Sequence, residues 1–293
     1  MPPIVIHTDP DWDAIGFYWL LTRYGRSLLP ESFGPAFVNT GNPDPLVLAR
    51  AVAVGDTGKV YDPARLRFDH HQSVDLPCAT ALLYAYLLQQ RRAPASIEPL
   101  VALINDGDTG RAGARQSAQT GIHAMLTAYK RQNQSDRAVL EWGCEQLDLL
   151  AAALEANAAA RLTLDSCMVY RSADDRVIGV RGGGSGVTHA AHDVYGARVV
   201  VFINEEAVEG GTTWAVGAQR LGGAAVTTPH VGDLVASVLA NTERADVAEE
   251  LGHWFCHPAG FFAGRGTRKA PDPTPPAAGL IDICAALDAA WER

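Results

Sequence analysis

The stretch IVIHTDPDWDAIG (residues 4–16) joins a short apolar run to a segment that holds one histidine and three aspartates. The apolar run is typical of a buried strand, and the apolar spacing from Ile15 onwards indicates a helix that begins near Asp13. Carboxylates so close together repel one another unless their charge is compensated. A bound cation is the simplest source of that compensation.

Strands and helices alternate through the first part of the chain, which predicts a mostly parallel sheet covered by helices. In such sheets ligands gather at the carboxyl ends of the strands. His7 and Asp56 each follow a predicted strand. The predicted elements are strands at 3–7, 35–39 and 51–54, a helix after Pro45, and helices at 78–91 and 97–105.

The chain of 293 residues is long enough for two domains. We predict an N-terminal α/β domain over 1–135, a connecting helix over 136–165, and a smaller C-terminal α+β domain over 166–293. The second domain is predicted from the strand-rich pattern that begins at Cys167. The active site is expected in the cleft between the two domains.

Composition narrows the class of protein. With 47% hydrophobic and 19% charged residues, the chain fits a soluble globular protein. It has no apolar run of the ~20 residues that span a bilayer and no N-terminal signal pattern, so a cytoplasmic location without a membrane partner is expected.

Five widely spaced cysteines without a C-x-x-C argue against disulfides or a zinc site. The net charge of −9 argues against a protein that coats duplex DNA.

Acidic residues and histidines form four clusters in the first 110 residues, in segments predicted as strand ends or loops. Each cluster alone is more often a helix cap or a solvated turn. Together, carboxylates and imidazoles without thiolates suit Mn²⁺, Mg²⁺ or Fe²⁺ better than structural zinc, and their number fits two cations. The clusters are His7 with Asp11 and Asp13, Asp56 in VGDTG, Asp69-His70-His71 in FDHHQ, and Asp106 with Asp108 in NDGDTG.

In order, these four clusters resemble the motifs of the DHH phosphoesterase superfamily, which includes RecJ-type nucleases, nanoRNases, cyclic-dinucleotide phosphodiesterases and family II inorganic pyrophosphatases. VGDTGKVYDPARLRFDHHQ (54–72) is most similar to the Myg-type exonucleases (the melanocyte proliferating gene family). FCHPAGFFAGRGT (255–267) is similar to the C-terminal histidine-glycine motif of that family. The first motif is closer to the pyrophosphatase and nanoRNase form, and Trp12 stands where a small or polar residue is usual.

The resemblance implies two divalent cations, with Mn²⁺ favoured and Mg²⁺ as the alternative. Asp56 is expected to bridge them. Asp106 competes with Asp108 for the fourth motif, and Asp108 is favoured because Thr109-Gly110 follow it. The implied ligands are His7 and Asp11 for one cation, and Asp13, His70 and Asp108 for the other.

The resemblance also implies the catalytic residues. His71 is expected to contact the scissile phosphate or to protonate the leaving oxygen, and Asp69 is expected to orient His70 through a hydrogen bond. For each of these residues, and for the ligands, a helix cap or a buried polar partner is the alternative.

In the second domain, His257, Arg265 and Arg268 are expected to bind substrate, because they lie in or after a glycine-rich loop. A solvated basic loop, which would include Lys269, is the alternative. His189 and His192 are predicted to be structural. Trp12 is predicted to fill the core, with a base-stacking surface as the alternative.

The leading functional hypothesis is a two-metal-dependent phosphodiesterase, an exonuclease or oligonucleotidase that releases nucleoside monophosphates from short single-stranded nucleic acid or a nucleotide. The alternative is a small-molecule phosphohydrolase: an inorganic pyrophosphatase, or a cyclic-dinucleotide or phosphonucleotide hydrolase. A third possibility is a nucleotide-sensing module without activity, against which the repelling carboxylates argue.

Overall fold

The computed structural model describes residues 1–110, 121–132, 134–208, 211–220, 253–258, 262–266, 272–273 and 279–291. The chain divides into two compact units, Met1–Glu155 and Ala156–Arg293. The division falls inside a helix, Asp136–Cys167, which the sequence predicts over 136–163. Several predictions lie outside the described residues: the helices expected over 231–240 and 245–252, and the roles of Arg268 and Lys269.

The first unit is built on a five-stranded sheet, which confirms the predicted α/β class. The strand order is β2-β1-β3-β5-β4, and pairing is parallel except between β4 and β5. The strands are β1 (Pro3–His7), β2 (Gly34–Val38), β3 (Ala53–Gly55), β4 (Tyr61–Asp62) and β5 (Arg67–Phe68). The helices are α1 (Trp12–Arg23), α2 (Pro45–Arg50), α3 (Ala79–Gln89), α4 (Glu98–Asp108), α5 (Ile122–Lys130) and α6 (Asp136–Cys167).

Strand β1 is an interior strand of this sheet, between β2 and β3, and its apolar residues are covered on both faces. Ile4, Val5 and Ile6 are fully buried. Ile4 and Ile6 belong to the core that α1, α3 and α4 cover, whereas Val5 packs with residues of α2 on the other face. A parallel strand buried on both faces reads as a continuous apolar run, which is the pattern at residues 4–6.

Two glycines allow α1 to approach its neighbours closely. A Cβ at Gly16 would stand 2.6 Å from Thr80 Oγ1 of α3, and a Cβ at Gly55 would stand 2.1 Å from Cδ1 of Phe17. Neither distance is compatible with a side chain in the present packing. The close approach brings the first turn of α1 to the N-terminus of α3 and to the end of β3.

The second unit contains a mixed sheet, which confirms the predicted α+β class. The strand order is β10-β11-β9-β8-β7-β6, with β7 and β8 parallel and the other pairs antiparallel. The strands are β6 (Met168–Arg171), β7 (Val177–Arg181), β8 (Val199–Val208), β9 (Gly211–Arg220), β10 (Phe255–Cys256) and β11 (Phe262–Arg265), and the helices are α7 (Gly184–Tyr195) and α8 (Leu280–Trp291).

Two sequence predictions for the second unit were wrong. The stretch read as a glycine-rich loop contains β11, because residues 262–265 pair with β9. Helix α7, expected near 189–195, begins at Gly184. Gly182, Gly183 and Gly184 have φ values of +76°, +78° and +66°, a conformation that glycine adopts at low cost. Thus the chain turns directly from β7 into the helix.

Within the ranges that the structure describes, no helix is both long enough and apolar enough to cross a membrane.

Candidate metal centre

The first group of candidate ligands lies at the end of β1 and the start of α1. His7 is the last residue of β1, and Asp11 is the N-cap of α1, where its Oδ1 accepts from the amides of Asp13 (2.9 Å) and Ala14 (3.1 Å). The Nε2 of His7 lies 3.6 Å from Oδ1 of Asp11 and 3.1 Å from Oδ2 of Asp56. These three side chains therefore converge on one point.

Asp56 reaches His7 because β3 pairs in parallel with β1, so that both strands end at the same edge of the sheet. Its φ of +53° is in the left-handed region, which is uncommon outside glycine and recurs at functional sites. Whereas Oδ2 faces His7, Oδ1 lies 3.5 Å from Nε2 of His70. The two oxygens of one carboxylate thus face two different histidines.

The second group consists of Asp13, His70 and Asp108. The Nε2 of His70 lies 3.7 Å from Oδ2 of Asp13 and 3.4 Å from Oδ2 of Asp108. Asp13 is 1% exposed and accepts from the amides of Ala79 (2.8 Å) and Thr80 (2.7 Å) at the start of α3. Those bonds hold its carboxylate against the helix N-terminus, where negative charge is favoured.

The structure places one of these residues differently from the sequence prediction. Asp108 ends helix α4 rather than lying in a loop, because the helix extends three residues beyond the predicted 97–105. Asp13 lies in the first turn of α1, in agreement with a helix that begins near it. Of the two aspartates in the fourth motif, Asp108 approaches His70, and Asp106 is in none of the possible ligand groups among the described residues.

The expectation that Asp69 orients the ring of His70 was wrong, because the ring that it holds is that of His71. Asp69 is fully buried, and its Oδ1 accepts from Nδ1 of His71 at 2.7 Å and from the amides of His70 and His71. Its Oδ2 accepts from the amide of Lys59. The carboxylate closes the turn that follows it, and therefore orients the ring of His71, whose side chain is 49% exposed.

The carboxylates of the cluster favour protonated imidazoles. Burial opposes the charged form of His7, but the hydrogen bonds and charges of Asp11 and Asp56 outweigh it and raise the pKa of His7 to about 11. The proximity of Asp56, together with the charges of Asp13 and Asp108, raises the pKa of His70 to about 9. At 3.5 Å this contact with Asp56 is an electrostatic attraction rather than a good hydrogen bond.

Two carboxyl groups of the cluster resist ionisation. Burial and the charges of Asp56 and Asp108 raise the pKa of Asp13 well above its usual range. Burial and the charges of Asp56 and Asp11 raise the pKa of Asp108 to about 6. Asp11 differs: burial is outweighed by the hydrogen bond with His7 and by backbone amides, which lower its pKa to about 2.

The donor set fits two divalent cations. His7, Asp11 and Asp56 offer one group of ligand atoms, and Asp13, His70 and Asp108 offer another; within each group the atoms lie within 4.8 Å of one another. Oδ1 of Asp56 and Nε2 of His70 are buried and lack a hydrogen-bond partner in the described part of the chain. Such atoms are rare unless a ligand satisfies them. Four carboxylates would also balance the charge of two divalent cations.

Cation binding should release protons, because a histidine ligates only in its neutral form. With pKa values of about 11 and 9, His7 and His70 are protonated at pH 7.5 without a cation. We therefore expect the affinity for Mn²⁺ to rise with pH, by about tenfold per pH unit for each proton released. Calorimetric titration in buffers of different ionisation enthalpy counts the protons.

The control for this titration is His189→Ala, which replaces an exposed histidine on α7 and should release the same number of protons as the wild type. An affinity independent of pH between 6 and 9 would show that neither His7 nor His70 ligates the cation.

In the second unit, Arg265 is buried. Its Nη2 donates a hydrogen bond to Oδ2 of Asp272 at 2.7 Å. His253 forms an ion pair with the same oxygen at 2.9 Å. The amide of His257 donates to the carbonyl of Phe262. Arg265 is therefore in the environment of a structural ion pair. Its buried position does not support the predicted contact with substrate. The substrate-binding role of His257 stays a prediction.

The side chains of Trp12 and His192 are both buried in the protein. Trp12 is 2% exposed and packs against Trp142 with ring centroids 6.0 Å apart, so the core-filling interpretation is confirmed. His192 is 4% exposed, with Nδ1 2.6 Å from the carbonyl oxygen of Ala197, as expected of a structural residue.

His123 is a residue that sequence reasoning missed. It lies on α5 and lines a cavity of about 210 Å³ whose other lining residues include the candidate ligands Asp11, Asp13 and Asp108. A single histidine on an amphipathic helix belongs to no recognisable sequence motif. The packing of α5 beside α4 at Gly107 brings His123 near the candidate ligands.

The fold and site together define an α/β protein with a carboxylate–imidazole cluster at the carboxyl edge of its parallel sheet. No family model and no curated protein matches the sequence. Among solved structures, the chain is similar to the pGpG-specific phosphodiesterase PggH from Vibrio cholerae, with a TM-score of 0.34 and 11% identity, over 90% of this chain and 92% of that one. The proposal below rests on the site residues.

Proposed function

We propose that the chain is a two-cation phosphodiesterase of the DHH type. The observation that carries the proposal is the position of Asp56, whose two oxygens face the two groups of candidate ligands. A carboxylate shared by two cations is the usual basis of two-metal hydrolysis at phosphorus. Under this proposal His7 and Asp11 hold one cation, Asp13, His70 and Asp108 hold the other, and Asp56 bridges them.

When bound, divalent cations supply charge stabilisation at a phosphoryl oxygen and lower the pKa of water near neutrality. The remaining tasks belong to side chains. We propose that His71 contacts the scissile phosphate or protonates the leaving oxygen. Its Nδ1 donates to Asp69, which fixes the orientation of the ring, so that Nε2 is left to face a substrate oxygen.

We further propose that the substrate is a short single-stranded oligonucleotide and that the products are nucleoside monophosphates. The net charge of −9 disfavours long nucleic acid and thus also keeps a small-molecule phosphohydrolase as the second candidate. His257 and Arg268 are proposed substrate contacts, on the chemical ground that imidazole and guanidinium groups bind phosphate.

A side-by-side assay decides between the two candidates. With Mn²⁺ and with Mg²⁺ in parallel, we expect hydrolysis of single-stranded RNA or dinucleotides, and of bis(p-nitrophenyl) phosphate as an activated ester. Hydrolysis of pyrophosphate alone would identify the small-molecule candidate. If none of these substrates is hydrolysed with either cation, the proposed function is wrong.

A further inference from the structure

The cavity beside the cluster is small. Its volume is about 210 Å³, below the roughly 300–1,000 Å³ of pockets that enclose a drug-sized ligand. It therefore has room for one small group of a substrate and its water, and not for a whole nucleotide. Its lining residues are Asp11, Trp12, Asp13, Ile104, Gly107, Asp108 and His123.

The ring of His123 packs against α4 at Gly107. A Cβ on Gly107 would stand 2.0 Å from Nε2 and 2.2 Å from Cε1 of His123, so only glycine at position 107 admits the ring in this place. The Nε2 atom is buried and has no hydrogen-bond partner among the described residues. A buried ring nitrogen without a partner calls for a bound group that supplies one.

Burial favours the neutral form of His123. It lowers the pKa of His123, although the charge of Asp11 and the carbonyl of Leu103 act in the opposite direction. Each nitrogen of a neutral imidazole either donates its N–H or accepts at its lone pair. A hydroxyl group both donates and accepts, so it satisfies the buried Nε2 in either tautomer.

We propose that Nε2 of His123 forms a hydrogen bond with a hydroxyl group held in this cavity during hydrolysis. The other ionisable groups of the cavity are carboxylates, which repel an anionic phosphoryl oxygen more strongly than a neutral hydroxyl group. Two sources carry that chemistry: the water that attacks phosphorus, and a sugar hydroxyl next to the scissile phosphate. The inference rests on the proposed function.

The experiment compares His123→Ala and His123→Gln with the wild type on a ribodinucleotide and the matching deoxyribodinucleotide, after cation content has been measured for each. If water is the partner of Nε2, His123→Ala should lower kcat/KM by about 10²-fold or more on both substrates. If a sugar hydroxyl is the partner, the loss should be about tenfold on the ribodinucleotide alone. His123→Gln, whose amide both donates and accepts, should recover part of either loss.

Two further variants separate contact from folding. Thr127→Ala removes the hydroxyl that donates to the His123 carbonyl one turn along α5, and should leave kcat/KM unchanged. Gly107→Ala should reproduce the loss of His123→Ala by displacing the ring, although alanine favours a helix over glycine. Its cation content shows whether Asp108 has moved.

Unchanged kcat/KM in His123→Ala, with full cation content and an active wild type, would overturn this inference and leave the proposed function intact. A wild type that hydrolyses neither dinucleotide would overturn this inference, and the proposed function with it if single-stranded RNA and bis(p-nitrophenyl) phosphate are not hydrolysed either.

Discussion

Asp56→Asn should lose at least one of two bound cations and nearly all hydrolysis of phosphodiesters. The carboxylate faces His7 with one oxygen and His70 with the other, and an amide offers only one acceptor atom and no charge. Asparagine is the appropriate replacement because it tolerates the left-handed backbone found here, φ +53°. Alanine at this position would add backbone strain to the loss of the ligand.

The measurements are cation content by atomic emission after dialysis, and kcat/KM on a dinucleotide. Asp175→Asn is the matched control, because Asp175 is also a left-handed aspartate (φ 62°) but lies in the second unit, paired with Arg171. It should retain both cations and full activity. Full cation occupancy in Asp56→Asn would disprove the bridging role.

His71→Ala should keep both cations and lose turnover by roughly 10²-fold or more, as expected when a general acid or a phosphate contact is removed. The side chain is half-exposed, and its Nδ1 is occupied by the hydrogen bond with Asp69. A nitrogen committed in this way is a poor cation ligand. The effect should appear mainly in kcat if the ring protonates the leaving oxygen.

Asp69→Asn tests the same residue indirectly. The variant keeps an acceptor oxygen for Nδ1 of His71 but removes the charge that strengthens this hydrogen bond, so the ring should be held less firmly and kcat should fall while both cations are retained. One alternative is open to measurement: Asp56, Asp69, His70 and His71 also lie close enough together to hold a cation. Loss of a cation from His71→Ala would support that group and would contradict the roles assigned here.

The first unit could be predicted from the sequence to a large extent because its signals are local. Apolar runs at β1 and β3 mark buried parallel strands, and the apolar spacing from Ile15 onwards marks α1, which begins one residue before the predicted Asp13. The hairpin of β4 and β5 and the strand β11 were not predicted. Each has two to four residues, too few for a periodic pattern, and each exists only through pairing with a neighbour.

The candidate site was predictable as a set of residue types, but its contacts were not. Spacing alone could not show that Asp69 orients His71 rather than His70, since both rings follow it within two residues. Asp106 and Asp108 both lie on α4, and residues two apart on a helix point in different directions, so the choice between them depends on how α4 packs. The position of His123 depends on the packing of α5 beside Gly107, which involves no local signal.

Asp13 combines two duties that usually fall to different residues. The same carboxylate that faces His70 also accepts from both amides that open α3. Removing the Asp13 carboxylate would leave the first amides of α3 without their acceptor. It would also remove one candidate ligand from the cluster. By contrast, the side chain of Asp11 is half-exposed and supports only its own helix. If a descendant of this chain lacked the proposed activity, selection for folding alone would still favour Asp13, whereas selection on Asp11 would be weaker.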